Sequence, residues 1–219
     1  SVNGFEGSID KWTGRGSAVV SSSSDASFVG NNSLYVSERE SAWNGATIPL
    51  SKNIYQTGES YSFSANVMYS DGENLNNFFL KLQYVGADGE TYYSTVAEGA
   101  ARKNQWIQLS NSHYTIPDGA TDMYLYVETE SGTDSFYVDE VITAIDGTGI
   151  LGADKPIKLL PADLNFDGII DVFDLCLARE GAENGFDSAT VTNVADVDKN
   201  GEFDENDLIL IQDFLLGKI

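Results

Sequence analysis

The chain has 219 residues, is 42% hydrophobic and carries a formal net charge of −22. That is enough apolar material for one large domain or two smaller ones, and the acidity disfavours nucleic acid and anionic membrane surfaces as partners. No apolar run reaches the roughly 18 residues that a membrane span needs. Residues 1–150 hold 19 acids and 7 bases, whereas residues 161–219 hold 14 acids and 3 bases. Half the excess charge therefore sits in the last quarter of the chain, where bound cations could neutralise it. A single cysteine, Cys176, allows no internal disulfide and reads as a core residue of an apolar helix. The opening SVNGFEG carries no signal peptide and reads as a module from within a longer protein.

Residues 1–145 show no helix pattern. Short runs rich in Val, Ile, Tyr, Phe and Thr alternate with Gly, Asn, Asp and Ser. Strands are predicted near 17–22, 33–37, 45–50, 60–70, 78–86, 91–97, 105–109, 112–116, 122–130 and 135–144. Ten short strands in that length predict an all-β, two-sheet jelly-roll sandwich. In DMYLYVETE, Met123, Leu125 and Val127 share the core face, which turns Tyr124, Tyr126 and Glu128 toward solvent. Two exposed tyrosines beside a carboxylate are unusual, although Tyr suits strands anywhere. Trp43 lies in the turn-like SAWNGA. Tyr92 and Tyr93 are adjacent, so one faces in and one out. Arg15 stands between two glycines just after Trp12, and its plain alternative is a surface ion pair. Trp106 in NQWIQLS reads as core.

The series GFE, GRGS, SLYV, SAWNGATI, LQYVGADG, YYSTVAEG, QWIQLS, TIPDGATDMYLYVET and DSFYVDEV resembles carbohydrate-binding module family 22 over residues 3–143. The resemblance implies a jelly roll that binds xylan, sometimes mixed-linkage β-glucan, in a cleft on one sheet. Arg15, Trp43, Tyr93, Tyr126 and Glu128 match the family's binding positions. The residue types suit a sugar independently: aromatic rings cover the C–H face of a pyranose, while Glu128 accepts and Arg15 donates orienting hydrogen bonds. The resemblance also implies one structural calcium held by Glu6 and Asp139, completed by backbone carbonyls around Asn31 to Ser33.

From Ala144 to Leu160, IDGTGILGADKPIKLL breaks the strand pattern. Residues 146–160 are read as a linker whose 10–15 flexible residues would span roughly 20 Å.

A twelve-residue pattern then occurs twice, DLNFDGIIDVFD from Asp163 and DVDKNGEFDEND from Asp196, 33 residues later. Calcium takes six to eight oxygens, and this spacing supplies them. The first copy offers Asp163, Asn165, Asp167, Asp171, Asp174 and the Ile169 carbonyl. The second offers Asp196, Asp198, Asn200, Asp204, Asp207 and the Glu202 carbonyl. Gly168 and Gly201 take the sharp turn, and Ile170 and Phe203 can pin each loop to a core. The pattern is that of an EF-hand except that Asp replaces Glu at position 12. Helical spacing follows each loop, at Val172–Arg179 and Glu205–Leu216, and Pro161 argues against a helix before the first.

Two such loop–helix repeats resemble a cellulosomal dockerin over residues 161–219. The fold expected there is a small all-α domain with two calcium-binding repeats, dependent on two calcium ions for folding. The partner implied is a cohesin of a scaffoldin, contacted through Val172, Phe173 and Arg179 in the first copy and Glu205 and Asn206 in the second. Because the copies differ at these positions, one binding orientation is expected. Burial against the other repeat is the alternative for Val172 and Phe173, with Leu175, Leu177 and Ala178 competing for the core. The expectation is a monomeric, non-enzymatic, secreted and cellulosome-associated protein that binds xylan or a related β-glycan through its first domain. A glycosidase needs two carboxylates at the scissile bond; only Glu128 can be placed among the aromatics, and His113 falls in a turn-like SNSHYTIP. A cell-surface adhesin for other glycans, or a hydrolase fragment lacking its catalytic part, are the alternatives.

Overall fold

A computed structural model describes residues 1–218. Contacts divide the chain into two compact units, residues 1–72 with 77–156, and residues 157–219 with 73–76.

The first unit is built from eleven strands: β1 Val2–Asn3, β2 Thr13–Arg15, β3 Val19–Ser23, β4 Ser33–Ser37, β5 Gly45–Pro49, β6 Ser60–Met68, β7 Leu75–Val85, β8 Thr91–Arg102, β9 Ile107–Thr115, β10 Thr121–Thr129 and β11 Phe136–Ile145. They form two sheets. One has the order β3-β4-β11-β6-β9, with β1 on β11; the other has the order β2-β5-β10-β7-β8. Alternation puts one set of side chains between the sheets. Phe63, Ala65 and Val67 of β6, Leu34 and Val36 of β4, and Ile107 and Leu109 of β9 face Met123, Leu125 and Val127 of β10 and Phe78, Leu80 and Leu82 of β7. Each large side chain buried here contributes about 1.5–3 kcal/mol. Phe78 meets Phe136 of the other sheet edge-on, ring centroids 5.6 Å apart. The jelly-roll sandwich expected from the sequence is thus present.

Four local expectations are revised. The two strands foreseen at 105–109 and 112–116 are one, β9. Its polar centre reads as a turn, but Asn111 donates to the Val96 carbonyl at 2.9 Å and the bulge between Tyr61 and Phe63 absorbs the irregularity. His113 therefore lies on a strand, with Nδ1 3.0 Å from Asp146. Trp106 is half-buried on the outer face and not in the core, because Ile107 takes the inward position beside it. Residues 147–154 of the segment expected to be a free linker are bonded to the sandwich. Ala153 N–H donates to Asn66, Gln108 N–H donates to the Asp154 carbonyl, and Gln108 Nε2 donates to the Ile150 carbonyl.

The second unit contains α1 Val172–Asn184, α2 Ala189–Ala195 and α3 Glu205–Leu215. Helices α1 and α3 follow the two acidic loops as expected. Ser188 caps α2 through Val191 N–H; the β-branched ATVTNVA hides this helix from propensity. The core is Leu164, Leu175, Ala178, Val194, Ala195 and Ile211, with Ile170 and Phe203 packed against it. Gly181 lets the Phe186 ring approach, since a β-carbon there would lie 2.1 Å from it. Cys176 and Leu177 are exposed, contrary to their expected burial, because the inward stripe of α1 runs through Leu175, Ala178 and Gly181. Among the described residues no helix is long and apolar enough to cross a membrane.

Candidate functional site

The outer face of the β2-β5-β10-β7-β8 sheet gathers the five residues singled out in the first unit. Arg15 comes from β2, Trp43 from the turn before β5, Tyr126 and Glu128 from β10, and Tyr93 from β8. The Arg15 guanidinium lies over Tyr126 at 4.1 Å from the ring centroid, and 5.2 and 5.6 Å from the centroids of Trp43 and Tyr93. Trp43 and Tyr93 are 52% and 57% exposed, and Tyr124 is also exposed on this face.

Tyr126 and Glu128 do not face solvent as alternation alone implies; they are 1% and 6% exposed. Register explains why. Tyr126 pairs with Lys81 of β7 and with Thr47 of β5, and Glu128 pairs with Phe79. Arg15 covers the Tyr126 ring, and two cations cover the carboxylate. Arg15 Nη1 is 3.1 Å from Glu128 Oε2, and Lys81 Nζ is 2.7 Å from Oε1. Burial, with the charge of Glu128, pushes the Tyr126 phenol well above its usual range, so it stays a hydrogen-bond donor. Exposed rings at the rim and a fixed charged floor make a polar, aromatic-walled groove. Tyr92 is turned away from it: both Tyr92 and Tyr93 are exposed, and Tyr92 stacks on Tyr84 at 5.5 Å while donating to Asp88.

Three supporting residues escaped the sequence reading. Lys81 lies opposite Leu80 and Leu82 in strand alternation, a signal that means little until β7 is known to neighbour β10. Arg39 is buried, and its guanidinium donates to the carbonyls of Asn44, Ala42 and Asp134 at 2.7, 2.7 and 2.6 Å and to Thr129. Burial lowers it to about 10, partly offset by Asp134 and Glu128, so it stays charged at neutral pH. Asn44 Oδ1 accepts from Ser17 Oγ and from Glu40 and Ser41 N–H. Arg39 and Asn44 together hold the turn that carries Trp43. Gly16, at φ +68°, gives Trp43 its place, since a β-carbon there would lie 2.7 Å from the indole.

Away from the groove, Asp139 is wholly buried and accepts from the N–H groups of Phe28, Val29 and Glu140. Glu6 accepts from Asn31 and Asn32 N–H at 2.8 and 2.9 Å. Burial raises the Asp139 and Glu140 carboxyls, and the neighbouring acids raise them further. Glu6, Asp139 and Glu140 repel one another, and no Lys or Arg is paired to them among the described residues. In the same loop the carbonyls of Ala26 and Gly30 accept from the hydroxyls of Ser33 and Ser27.

In the second unit the two acidic loops repeat one hydrogen-bond pattern. Asp163 accepts from Asp167 and Gly168 N–H, as Asp196 does from Asn200 and Gly201. Asp174 accepts from Leu164, Asn165 and Asp171 N–H, as Asp207 does from Val197, Asp198 and Asp204. Phe166 and Lys199 at loop position 4 share φ +60°, and Gly168 and Gly201 take +86° and +96°. Asp171 and Asp204 cap α1 and α3, with Asp174 and Asp207 closing each capping box. Oxygens of Asp196, Asp198 and Asp207 lie within 4.8 Å of one another. Buried carboxylates without a paired cation are costly, so both loops fit a divalent ion; Asn165, Asp167, Ile169 and Glu202 line the same turns. Val172, Phe173, Arg179, Glu205 and Asn206 are all exposed on the first turns of α1 and α3 or further along α1.

Residues 1–135 match the family described as Carbohydrate binding domain, and residues 161–216 match the Dockerin type I domain. Endo-1,4-beta-xylanase Y of Acetivibrio thermocellus is 42% identical over 178 residues, covering 80% of this chain and 16% of that protein. The Xylanase/beta-glucanase of Ruminococcus flavefaciens is 35% identical over 246 residues, 98% of this chain and 30% of its own length. The chain thus spans less than a third of either relative. Among solved structures, the C-terminal family 22 carbohydrate binding module of Clostridium thermocellum Xyn10B is 41% identical, with a TM-score of 0.68 over 69% of this chain and 95% of that one. A xylan-binding domain of family 22 is 42% identical, also at TM-score 0.68, over 68% and 96%.

Proposed function

The chain belongs to the Carbohydrate binding domain family through residues 1–135 and carries a dockerin type I domain at residues 161–216, and on that premise we propose that it is a non-catalytic adaptor. Residues 1–156 hold a xylan or related β-glycan chain, and residues 161–219 dock on a cohesin of an extracellular cellulosomal scaffold. The observation that carries the first half is the groove. Trp43 and Tyr93 offer exposed rings beside Arg15, over a floor of Tyr126, Glu128 and Lys81. A pyranose presents a C–H face to the rings and hydroxyls to the floor, where Arg15 and Lys81 donate and Glu128 accepts through its remaining lone pairs. Because Arg15 is stacked and paired before a ligand arrives, little ordering remains to oppose binding.

The same floor argues against glycosidase chemistry here. A general acid must point a protonated oxygen at the leaving group, whereas both Glu128 oxygens already accept from cations. Catalysis in a longer parent protein would come from outside this chain.

Calcium at Asp163 to Asp174 and Asp196 to Asp207, and one ion at Glu6 and Asp139, would supply the positive charge these acids lack. The exposed Val172 and Phe173 against Glu205 and Asn206 support a cohesin surface with a single orientation.

Calorimetric titration of the calcium-loaded chain with xylohexaose, cellohexaose and a mixed-linkage glucan tests the glycan reading. Binding of xylohexaose, weakened at least about tenfold but still measurable in Trp43→Ala, is the expected result. Absence of heat with all three would overturn it.

A further inference from the structure

The sheet opposite the groove carries, on its outer face, aromatic side chains that belong neither to the core between the sheets nor to the groove, with Tyr137 and Met68 buried there and Trp106 half-buried. Register sets Tyr35, Tyr137 and Met68 in one row across its outer face. One step beyond the pairing of Val67 with Ile107, Trp106 ends that row. Its ring stands 6.1 Å from Phe28 at an interplanar angle of 47°, so the two form an open V and not a closed stack. Between them and residues 152–154 lies an open depression of ≈ 460 Å³, within the range of about 300–1,000 Å³ usual for small-molecule sites.

The far wall is held rigidly. Ile107 bridges to Asp154, Ala153 N–H donates to Asn66 at 2.8 Å, and Gly152 sits so close that a β-carbon would strike Gln108 at 2.3 Å. The polar groups at the rim are nearly unspent. The Asp154 carboxylate takes one long contact, 3.5 Å from Gln105 Nε2. Asn104, held by its backbone at φ +66° through the Tyr69 carbonyl, lines the same opening. A carboxylate without a paired cation disfavours anionic ligands. Aromatic faces with free amide and carboxylate groups are what a neutral polyhydroxylated ring takes: C–H face on the indole, hydroxyls on Asp154 and Asn104.

We propose that this depression is a second saccharide subsite, for one or two pyranose units of a neutral β-glycan, on the sheet opposite the groove. The identification of the ligand class rests on the glycan reading above; the site itself rests on Phe28, Trp106, Asn104 and Asp154. With two sites on opposite sheets one module grips two chains, or two stretches of one chain, and gains by effective concentration.

The chain has three tryptophans, so indole N–H signals separate the sites. A ¹⁵N-labelled, calcium-loaded full chain is titrated with xylotriose. Expected are a shift of the Trp43 signal and a separate, weaker curve at Trp106, with buried Trp12 still. The Trp106 curve persists in Trp43→Ala and weakens by about tenfold in Asp154→Ala, the loss of one charge-assisted hydrogen bond, while the Trp43 curve is unchanged. A Trp106 signal that stays put while Trp43 saturates, or that moves only when Trp43 is present, overturns the second site and leaves the groove intact. Silence at both indoles overturns the groove reading as well.

Discussion

Replacing Arg39 by Met removes a guanidinium that touches no part of the groove and yet should weaken glycan binding. Arg39 gives hydrogen bonds to Ala42, Asn44, Asp134 and Thr129. At about 1 kcal/mol net for each bond the upper limit is about 4 kcal/mol. The Ala42 and Asn44 carbonyls belong to a surface turn and can rotate to water once released, so about 2 kcal/mol is the expected cost. If that cost falls on the 40–44 turn, the fraction of molecules with Trp43 in place drops, and the apparent Kd rises by up to about 30-fold. The assay is calorimetric titration with xylohexaose of Arg39→Met, Trp43→Ala and the double variant, with urea unfolding in parallel. If Arg39 acts through Trp43, the double variant binds no worse than Trp43→Ala alone. Losses that add in the double variant, or a Kd within about twofold of the parent, would refute the reasoning.

Chelation should abolish the helical circular dichroism of α1 to α3, and calcium should restore it; an unchanged signal in excess chelator would count against metal-driven folding. Phe173→Ala is expected to weaken cohesin binding by more than tenfold and Asn206→Ala by less than about threefold, as a single orientation requires; equal losses would mean that either repeat can serve. Burial raises the phenols of Tyr126, Tyr114 and Tyr137 above their ordinary value of 10. The unfolded chain loses these protons first, so stability is complete below about pH 10 and falls above it. Arg39, lowered to about 10, works in the opposite direction from there upward, one group against these three and Tyr92, whose phenol its hydrogen bond to Asp88 raises. The melting temperature should drop above pH 10, less steeply in Tyr126→Phe; a flat profile would contradict the sign.

Residue pattern made the core of β10 legible, because Met123, Leu125 and Val127 alternate without interruption. It could not say what covers the other face. Tyr126 and Glu128 are buried by Arg15 and Lys81, which come from strands whose adjacency only the topology settles. Trp106 failed for the related reason that a sequence cannot distinguish an inward ring from one lying over a sheet's outer face. The acidic loops were readable as one repeated turn, since the hydrogen bonds that Asp163, Asp174, Asp196 and Asp207 accept depend on spacing within twelve residues. Helix α2 was not, because its stability comes from a cap at Ser188 and packing of Val194 and Ala195, against the propensity of its Thr and Val residues.

The bond between Gln108 N–H and the Asp154 carbonyl has a consequence for where the first module can be cut. Strand β9 ends its sheet, and an open edge of that kind invites pairing with another molecule. The segment 147–154 occupies it, bridging at Ile107. A chain ending at Ile145 would bare this edge together with the polar row of Ser64, Asn66 and Gln108, and should self-associate and aggregate on concentration. One carried through to Pro156 should stay dispersed.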